Sequence, residues 1–567
     1  MRRSATGADA LKEAVARGTW MAAKRTIPKG KGVAPPLWTP ELTKLNKMVQ
    51  ECKNERKRDA LIHWRRKVLA DKALGRWKED VPKLLFTDSA SWNLTKSMRA
   101  PRPLTSPVLV VDGHPLTKRQ QAEALAKMYM ARPTKAPHAP DMKIPSTRHS
   151  TFQHIIEAEL GAALRELSSG TAPGDDEIHC EDLKQLGRVS RRCISRLFNC
   201  SLRTGQVPAK WRQGIIVPLL KPNKPASSMA TFRPVTLTST LCKLTERIVA
   251  RRVRDCIEDK LQPQQAGFKP ARSTLDTLMQ VTSAVRRRKD GKKTAASSID
   301  YACAFNSVDH GCIVKELLSF CVEKHLVERI AGFLQGRTAK VRLSSTLSED
   351  IGLTRGVPQV SVLGPPPFIV AVDSKSKRLN CIPGLQHGFF ADDLTTVCTS
   401  ADLSGIQQGL DCITNLSGEC CMEVPVAKTE YTLFGARETN LLSPKVGETV
   451  LKEERTPKPL GLTMLPHKGL SKHALSMKAA ANMRLMQLRA VASPEWGPEV
   501  EKLRAFYLAL VKAKMCYGIV SWWFDASLLD RERLHLSILS AWGLRQHSIR
   551  TAPLTARKAA RCYGTTP

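Results

Sequence analysis

Apolar residues return every three or four positions over residues 40–80, where Leu45, Met48, Val49 and Cys52 are followed by Leu61, Trp64, Val68 and Leu69. That spacing predicts amphipathic helices, as does a similar pattern over 8–24. Between them, Ile27-Pro28-Lys29-Gly30-Lys31-Gly32-Val33-Ala34-Pro35-Pro36 reads as a basic linker, because proline and glycine interrupt both periodicities. The stretch 133–150, rich in Pro, His and Ser, marks a boundary. From 151 to about 440, short β-compatible runs such as Gly214-Ile215-Ile216-Val217-Pro218-Leu219-Leu220 alternate with helical stretches at 241–257, 275–288 and 313–327. Interleaved strands and helices predict an α/β or α+β core. From 470 to 550 the pattern is helical again. There Met477, Ala480, Ala481, Met483 and Met486 form one apolar stripe and 503–515 another, both read as packing faces. Three regions are therefore expected: a basic helical region over 1–150, the mixed core over 151–440 and a helical region over 441–567.

With 42% hydrophobic and 25% charged residues in 567, the chain has enough apolar material for a sizeable core, which excludes wholesale disorder. No apolar run approaches the roughly 18 residues of a membrane span. The start, Met1-Arg2-Arg3-Ser4-Ala5-Thr6-Gly7, leads into no apolar stretch of the secretory kind, so an intracellular protein without a membrane partner is expected. Lys and Arg number 89 against 52 Asp and Glu, a net charge of +37. The first 150 residues alone hold 31 Lys and Arg against 13 Asp and Glu. Such an excess calls for a polyanionic partner, nucleic acid before an anionic membrane. Lys53, Arg56, Lys57, Arg58, Arg65, Arg66 and Lys67 share a helix with Trp64 and Trp77, either as a phosphate-gripping face or as a solvated one. The 16 cysteines show neither Cys-x-x-Cys nor zinc-knuckle spacing, so reduced, mostly buried thiols and no zinc are expected.

The chemistry concentrates in two acidic sites. One is Ser298-Ile299-Asp300-Tyr301-Ala302-Cys303-Ala304-Phe305-Asn306, a β-compatible run that ends at Asp300. The other is Gly388-Phe389-Phe390-Ala391-Asp392-Asp393-Leu394-Thr395-Thr396-Val397, which reads as a hairpin with adjacent carboxylates at its tip. If folding brings Asp300 beside Asp392, the pair can hold hard cations through oxygen, and two such ions suit an in-line phosphoryl displacement. Alone, an Asp-Asp pair on a turn more often bonds its own backbone.

The pair does not stand alone. Before it lie Lys221-Pro222-Asn223-Lys224-Pro225, Thr231-Phe232-Arg233-Pro234-Val235-Thr236-Leu237 and Gln265-Ala266-Gly267-Phe268-Lys269-Pro270-Ala271-Arg272-Ser273-Thr274. Between the acidic sites lies Gly356-Val357-Pro358-Gln359, and after them Ala427-Lys428-Thr429-Glu430. In this order and spacing the set resembles the reverse transcriptases of non-LTR (LINE-type) retrotransposons, of the trypanosomatid type, from about Leu37 to about Trp523. The resemblance implies a right-hand polymerase with fingers from about 150, a palm holding both acidic sites, and a helical thumb after about 440. It implies an RNA-directed DNA polymerase, acting in the nucleus on an RNA template, a DNA primer and deoxynucleoside triphosphates with Mg²⁺ or Mn²⁺. Asp300, Asp392 and Asp393 match the catalytic, metal-binding triad. Arg233 matches the grip on the triphosphate, Phe305 the wall beneath the deoxyribose, Gln359 a nucleotide contact and Lys428 a lysine near the leaving pyrophosphate. Gly267, Arg272 and Gly356 match positions along template and primer. Read without the resemblance, Phe305 is equally a core residue, Arg233 a surface ion-pair partner, Gly356 and Gln359 a plain turn, and Lys428 an exposed lysine.

Several positions depart from the family pattern. Asn306 replaces an Asp, where it is expected to cap the next helix. Val360 replaces a Gly and is costly if the position needs positive φ. Pro365-Pro366-Pro367 replaces one proline and two leucines, and should delay the following helix. Pro425 replaces an Asn, and Ser297-Ser298 makes the strand before Asp300 polar. No endonuclease-like region, RNase H-like cluster or zinc knuckle accompanies the motifs. Impaired activity is expected, with a catalytically inactive nucleic-acid-binding remnant as the alternative. Oligomeric state is left open.

Overall fold

The computed structural model describes residues 39–51, 55–80, 110–111, 114–130, 144, 152–221, 224–286, 293–400, 403–434, 442–465, 471–489, 500–523 and 531. The helix expected over 8–24 and nearly all of 133–150 lie outside these. The described residues from 110 to 465 form one compact unit, and those of 39–80 and 471–531 a second.

The larger unit begins with α1 (Lys118–Met130), α2 (Glu157–Arg165) and α3 (Arg188–Thr204). Strands β1 (Gln213–Leu220) and β2 (Phe232–Leu237) follow, then α4 (Thr240–Ile257) and α5 (Thr274–Arg286). Strand β3 (Lys293–Asp300) runs into α6 (Ala304–Ser307), α7 (His310–Ser319) and α8 (Lys324–Leu334). Next come β4 (Arg337–Leu343), β5 (Thr346–Leu347), β6 (Ile351–Leu353) and α9 (Pro365–Leu379). The hairpin β7 (Leu385–Phe390) and β8 (Asp393–Ser400), α10 (Ser404–Glu419) and β9 (Thr429–Phe434) complete the core. The mixed α/β class read from the sequence is what forms.

Two sheets organise this unit. One is antiparallel throughout, in the order β9-β3-β8-β7. The other has the order β2-β1-β4-β5 with β6 also on β4, and its β1–β4 pair is parallel. Ile299, Phe389, Leu394 and Cys398 of the first sheet are buried in one cluster with Phe368, Ile369 and Val372 of α9 and Ile406, Leu410 and Ile413 of α10. Because side chains alternate across a strand, Asp300 and Asp393 leave on the face opposite Ile299 and Leu394. The polar residues before Asp300 are accommodated by pairing: Ser297 Oγ lies 2.7 Å from Thr396 Oγ1, and Thr294 Oγ1 3.0 Å from Thr399 Oγ1. Cross-strand hydroxyl pairs of this kind let a buried strand carry serine and threonine without orphaned groups.

Most helices lie where the periodicity puts them, with three corrections. The stretch 313–327 is two helices, α7 and α8, broken at Cys321 with φ +56°. Helix α9 starts at Pro365 rather than late, because the three prolines occupy its first turn, where N–H groups have no helical acceptor anyway. Asn306 lies inside α6, and the cap of α7 is Asp309, whose carboxylate accepts from Cys312 N at 3.1 Å. The cysteines also depart from expectation. Cys312 and Cys420 are joined as a disulfide, and of the free cysteines among the described residues only Cys180, Cys242, Cys398 and Cys421 are buried.

In the smaller unit, Pro40–Glu51 packs on Glu55–Asp80 through Leu42 and Leu45, with Lys72 bonded to Glu41 at 2.7 Å. Trp64 stands exposed on the latter helix, and the side chain of Trp77 lies outside the described residues. Helix Ser471–Arg489 buries Ala474, Met477, Ala481, Leu485 and Leu488. The expected stripe is therefore corrected: Met483 and Met486 face solvent, since the buried face follows the 3.6-residue period from Ala474. The stripe over 503–515 is packed at Phe506, Leu510, Val511 and Met515.

Candidate active site

Asp300 and Asp392 are 92 positions apart in the chain, yet β3 and β8 are neighbours. Their register sets Asp393 directly across from Asp300, and Asp392 occupies the two-residue turn between β7 and β8. Three carboxylates thus share one end of the sheet. Lys428 follows from the residues before β9, and its Nζ lies 3.1 Å from Asp300 Oδ2 with both side chains about half exposed.

The electrostatics record the crowding. Burial raises the Asp392 carboxyl above its ordinary range and the Asp300 charge adds to this, while Lys428 and Arg233 act against it. The Asp393 carboxyl is pushed up to about 6, by loss of surrounding water first and then by Asp392 and Asp300. Part of Asp393 remains open to solvent, so repulsion between the carboxylates acts beside desolvation. The site therefore carries more negative charge than its lysine balances. Oxygen donors in that condition suit a divalent cation. Among the described residues, however, no three His, Cys, Asp or Glu side chains are grouped so as to enclose an ion unaided. Adjacent Asp392 and Asp393 leave the chain in different directions, and the Asp300 carboxylate is engaged by Lys428.

A set of backbone contacts fixes the turn. Phe389 N donates to Gln264 O and Ala266 N to Phe389 O, each at 2.9 Å, so an isolated parallel bridge ties Gln265 to β7. Gln265 Oε1 then accepts from Ala391 N at 3.1 Å and from Gly267 N at 2.8 Å. Ala391, at φ +59°, turns the chain into Asp392. Gly267 packs so tightly on this turn that a Cβ would overlap the backbone of Ala391. Its matched place along template and primer is thus also a backbone contact with the acidic turn. Arg272, by contrast, is held by Asp276 at 2.9 Å at the start of α5.

The other expected residues converge from both sheets. Arg233 projects exposed from β2, makes no ion pair among the described residues, and stands close enough to lower the Asp392 carboxyl. Phe305 is stacked on Phe368 at 4.2 Å between ring centres and meets Phe268 edge-on at 5.7 Å. The loop of Gly356 and Gln359 is tied to the Asp300 side: Gly356 N donates to Val308 O at 2.8 Å and Val357 N to Phe305 O at 2.6 Å. Gly356 sits at φ +75°, with the space for a Cβ filled by the backbone of Asn306. Gln359 O accepts from Thr236 N of β2 at 3.4 Å. Val360 has φ +75°, so a β-branched residue does occupy a left-handed position there.

Three supporting residues carry no signal in the sequence that would single them out. Gln265 opens the motif that runs to Thr274, but its role depends on the 391 turn. His310 Nε2 lies 2.8 Å from Gly356 O, and burial lowers its pKa, which favours the neutral ring. Glu246 of α4, fully buried, accepts from Val362 N at 2.9 Å and Leu363 N at 3.1 Å, anchoring the loop before α9. Each partner is dozens of residues distant.

Residues 220–464 match the family described as reverse transcriptase (RNA-dependent DNA polymerase). The chain is 26% identical over 460 residues to a probable RNA-directed DNA polymerase from transposon BS of Drosophila melanogaster, covering 76% of this chain and 50% of that protein. To the RNA-directed DNA polymerase from mobile element jockey of the same organism it is 23% identical over 430 residues, covering 72% and 47%. The chain spans half or less of the length of these relatives. A telomerase structure from Candida Tropicalis, in complex with a fragment of telomeric RNA, aligns at TM-score 0.35 and 10% identity over 59% of this chain and 58% of that one, too distant to add to the argument. Reverse transcriptases generally use divalent metal ions, in keeping with the crowded carboxylates. Residues 220–464 are thus similar to reverse transcriptases, and about three quarters of the chain is similar to RNA-directed DNA polymerases of mobile elements.

Proposed function

We propose that the chain acts as an RNA-directed DNA polymerase, adding deoxynucleotides to a DNA primer 3′-hydroxyl on an RNA template. The register that opposes Asp393 to Asp300, with Asp392 on the adjoining turn, carries this reading. Asp300 and Asp392, with Asp393 beside them, would hold Mg²⁺, or Mn²⁺ in its place. Such ions, when bound, acidify the primer hydroxyl and offset charge on the leaving pyrophosphate.

The chain's own groups do the rest. Arg233 presents a planar fork suited to phosphate oxygens of the incoming nucleotide. Phe305, immobilised between Phe268 and Phe368, provides the wall that a 2′-hydroxyl would strike. Gln359, in the loop bonded to β2 and to Phe305 and Val308, would contact the incoming nucleotide. Lys428, released from Asp300, would supply a proton near the pyrophosphate. Gly356 and Gly267 let backbone approach closely beside the template–primer path, with Arg272 further along it. Sequence is read by base pairing, so the protein needs only grip and shape.

Primer extension on an RNA template tests the proposal. Wild-type extension that Asp392→Asn reduces to background supports it. Absence of extension by the wild-type chain under Mg²⁺ and Mn²⁺ alike, with intact salt-sensitive RNA binding, would establish the inactive remnant instead.

A further inference from the structure

Helix α3 carries a feature that the catalytic reading does not use. Its buried stripe is Ile194, Leu197, Phe198, Ser201 and Leu202. Arg188, Arg192, Arg196 and Arg203 are exposed. At 3.6 residues per turn these four fall within roughly a quarter of the circumference, diametrically opposite the buried stripe, along about 22 Å of helix. The helix contains no Asp or Glu. Among the described residues none of the four arginines makes an ion pair. The arginines of α4 behave differently: Arg247 and Arg251 are paired with Glu166, and Arg252 with Glu159.

We propose that this face of α3 is a track for an RNA backbone, separate from the acidic turn and serving to hold the strand outside the reaction centre. Four guanidinium groups in line, none paired with a carboxylate among the described residues, repel one another until a polyanion lies along them. Arginine forks match phosphate oxygens, and contacts of this type position a strand without reading its sequence. The face lacks the aromatic and aliphatic centre that a protein interface needs, because Val189 is its one large exposed apolar side chain. It also lacks the broad apolar half with which a helix lies in a lipid surface, that half being packed inside. The inference goes beyond the proposed polymerase reaction, and its test needs no nucleotide incorporation, so either can fail without the other.

The experiment uses the full chain and measures binding of an unstructured RNA and of an RNA hairpin at 50–200 mM salt. The variant replaces Arg188, Arg192, Arg196 and Arg203 with Gln. Each phosphate contact contributes about 0.7 to the logarithmic salt slope for a single strand, so the quadruple variant loses about 3. Its affinity deficit relative to wild type is then about fiftyfold larger at 50 mM than at 200 mM. A second variant with Lys at the same four positions keeps the charge and should keep the slope. If the Gln variant does not fold, Arg192→Gln and Arg196→Gln singly should each lower the slope by about 0.7. An unchanged slope in the Gln variants overturns the proposal. So does equal loss in the Lys variant, which would place the effect in folding rather than charge. Weakened binding to anionic vesicles with RNA binding intact overturns it as well. A loss confined to the hairpin or to the unstructured RNA identifies which form the track holds.

Discussion

Replacing Val360 with Gly should stabilise the protein, although it deletes a side chain. Val360 stands at φ +75° in the loop between Gln359 and α9 and is 69% exposed. For an L-residue the left-handed region costs roughly 1–2 kcal/mol, and a β-branched side chain sits at the upper end of that range. Glycine relieves this cost. Against it stand about 0.4–1 kcal/mol from the greater freedom of glycine in the unfolded chain, and roughly 0.6 kcal/mol for the one-third of the valine that is covered. The balance favours Val360→Gly by a margin on the order of 0.5–1 kcal/mol. Urea denaturation at constant m-value reads the difference directly. The same substitution at Val189, 75% exposed in the first turn of α3, supplies the contrast. There the backbone is helical and glycine should destabilise by a few tenths of a kcal/mol. Opposite signs for one chemical change at two exposed sites is the expected outcome. Equal destabilisation at both would refute the argument from backbone strain. Extension on an RNA template gives a second reading, because Gln359 precedes Val360: Val360→Gly should raise the rate if strain displaces that loop.

Gly267→Ala should abolish extension, since a Cβ at that position overlaps the Ala391 backbone and must displace the Asp392 turn; wild-type activity in this variant would show that the turn tolerates movement. Acid should unfold the larger unit partly through His387, which is buried beside Ser376 Oγ at 2.8 Å and whose pKa burial lowers from 6.5 to about 4. Above pH 6.5 the ring is neutral in both states and contributes no pH dependence. As pH falls from 6.5 toward 4, the unfolded chain takes up a proton that the folded chain refuses, so stability is lost over that window, by up to about 3 kcal/mol. Denaturation midpoints measured between pH 7 and 4.5 should decline less steeply in His387→Gln, and an identical decline would assign the acid sensitivity to other groups.

The acidic motifs, their flanking strands and most of the helices were legible in the amino-acid sequence because local periodicity and short-range turn chemistry fix them. Asp300 at the end of a β-run and Asp392 and Asp393 at a hairpin tip are properties of a few consecutive residues, whereas the positive φ of Val360 became definite only in the folded chain. Local pattern misled where tertiary contact set the outcome. The break at Cys321 interrupts a continuous helical periodicity, Met483 and Met486 face solvent although their spacing suggests a stripe, and Asp309 rather than Asn306 caps α7. Only the folded chain decided which strand lies beside which. The β3–β8 register brings Asp300 to Asp393, Gln265 reaches the 391 turn across more than 120 residues, and Glu246 secures the loop before α9 from the interior. Such pairings depend on backbone hydrogen bonds between distant segments, and their free energy appears only once the intervening chain has folded.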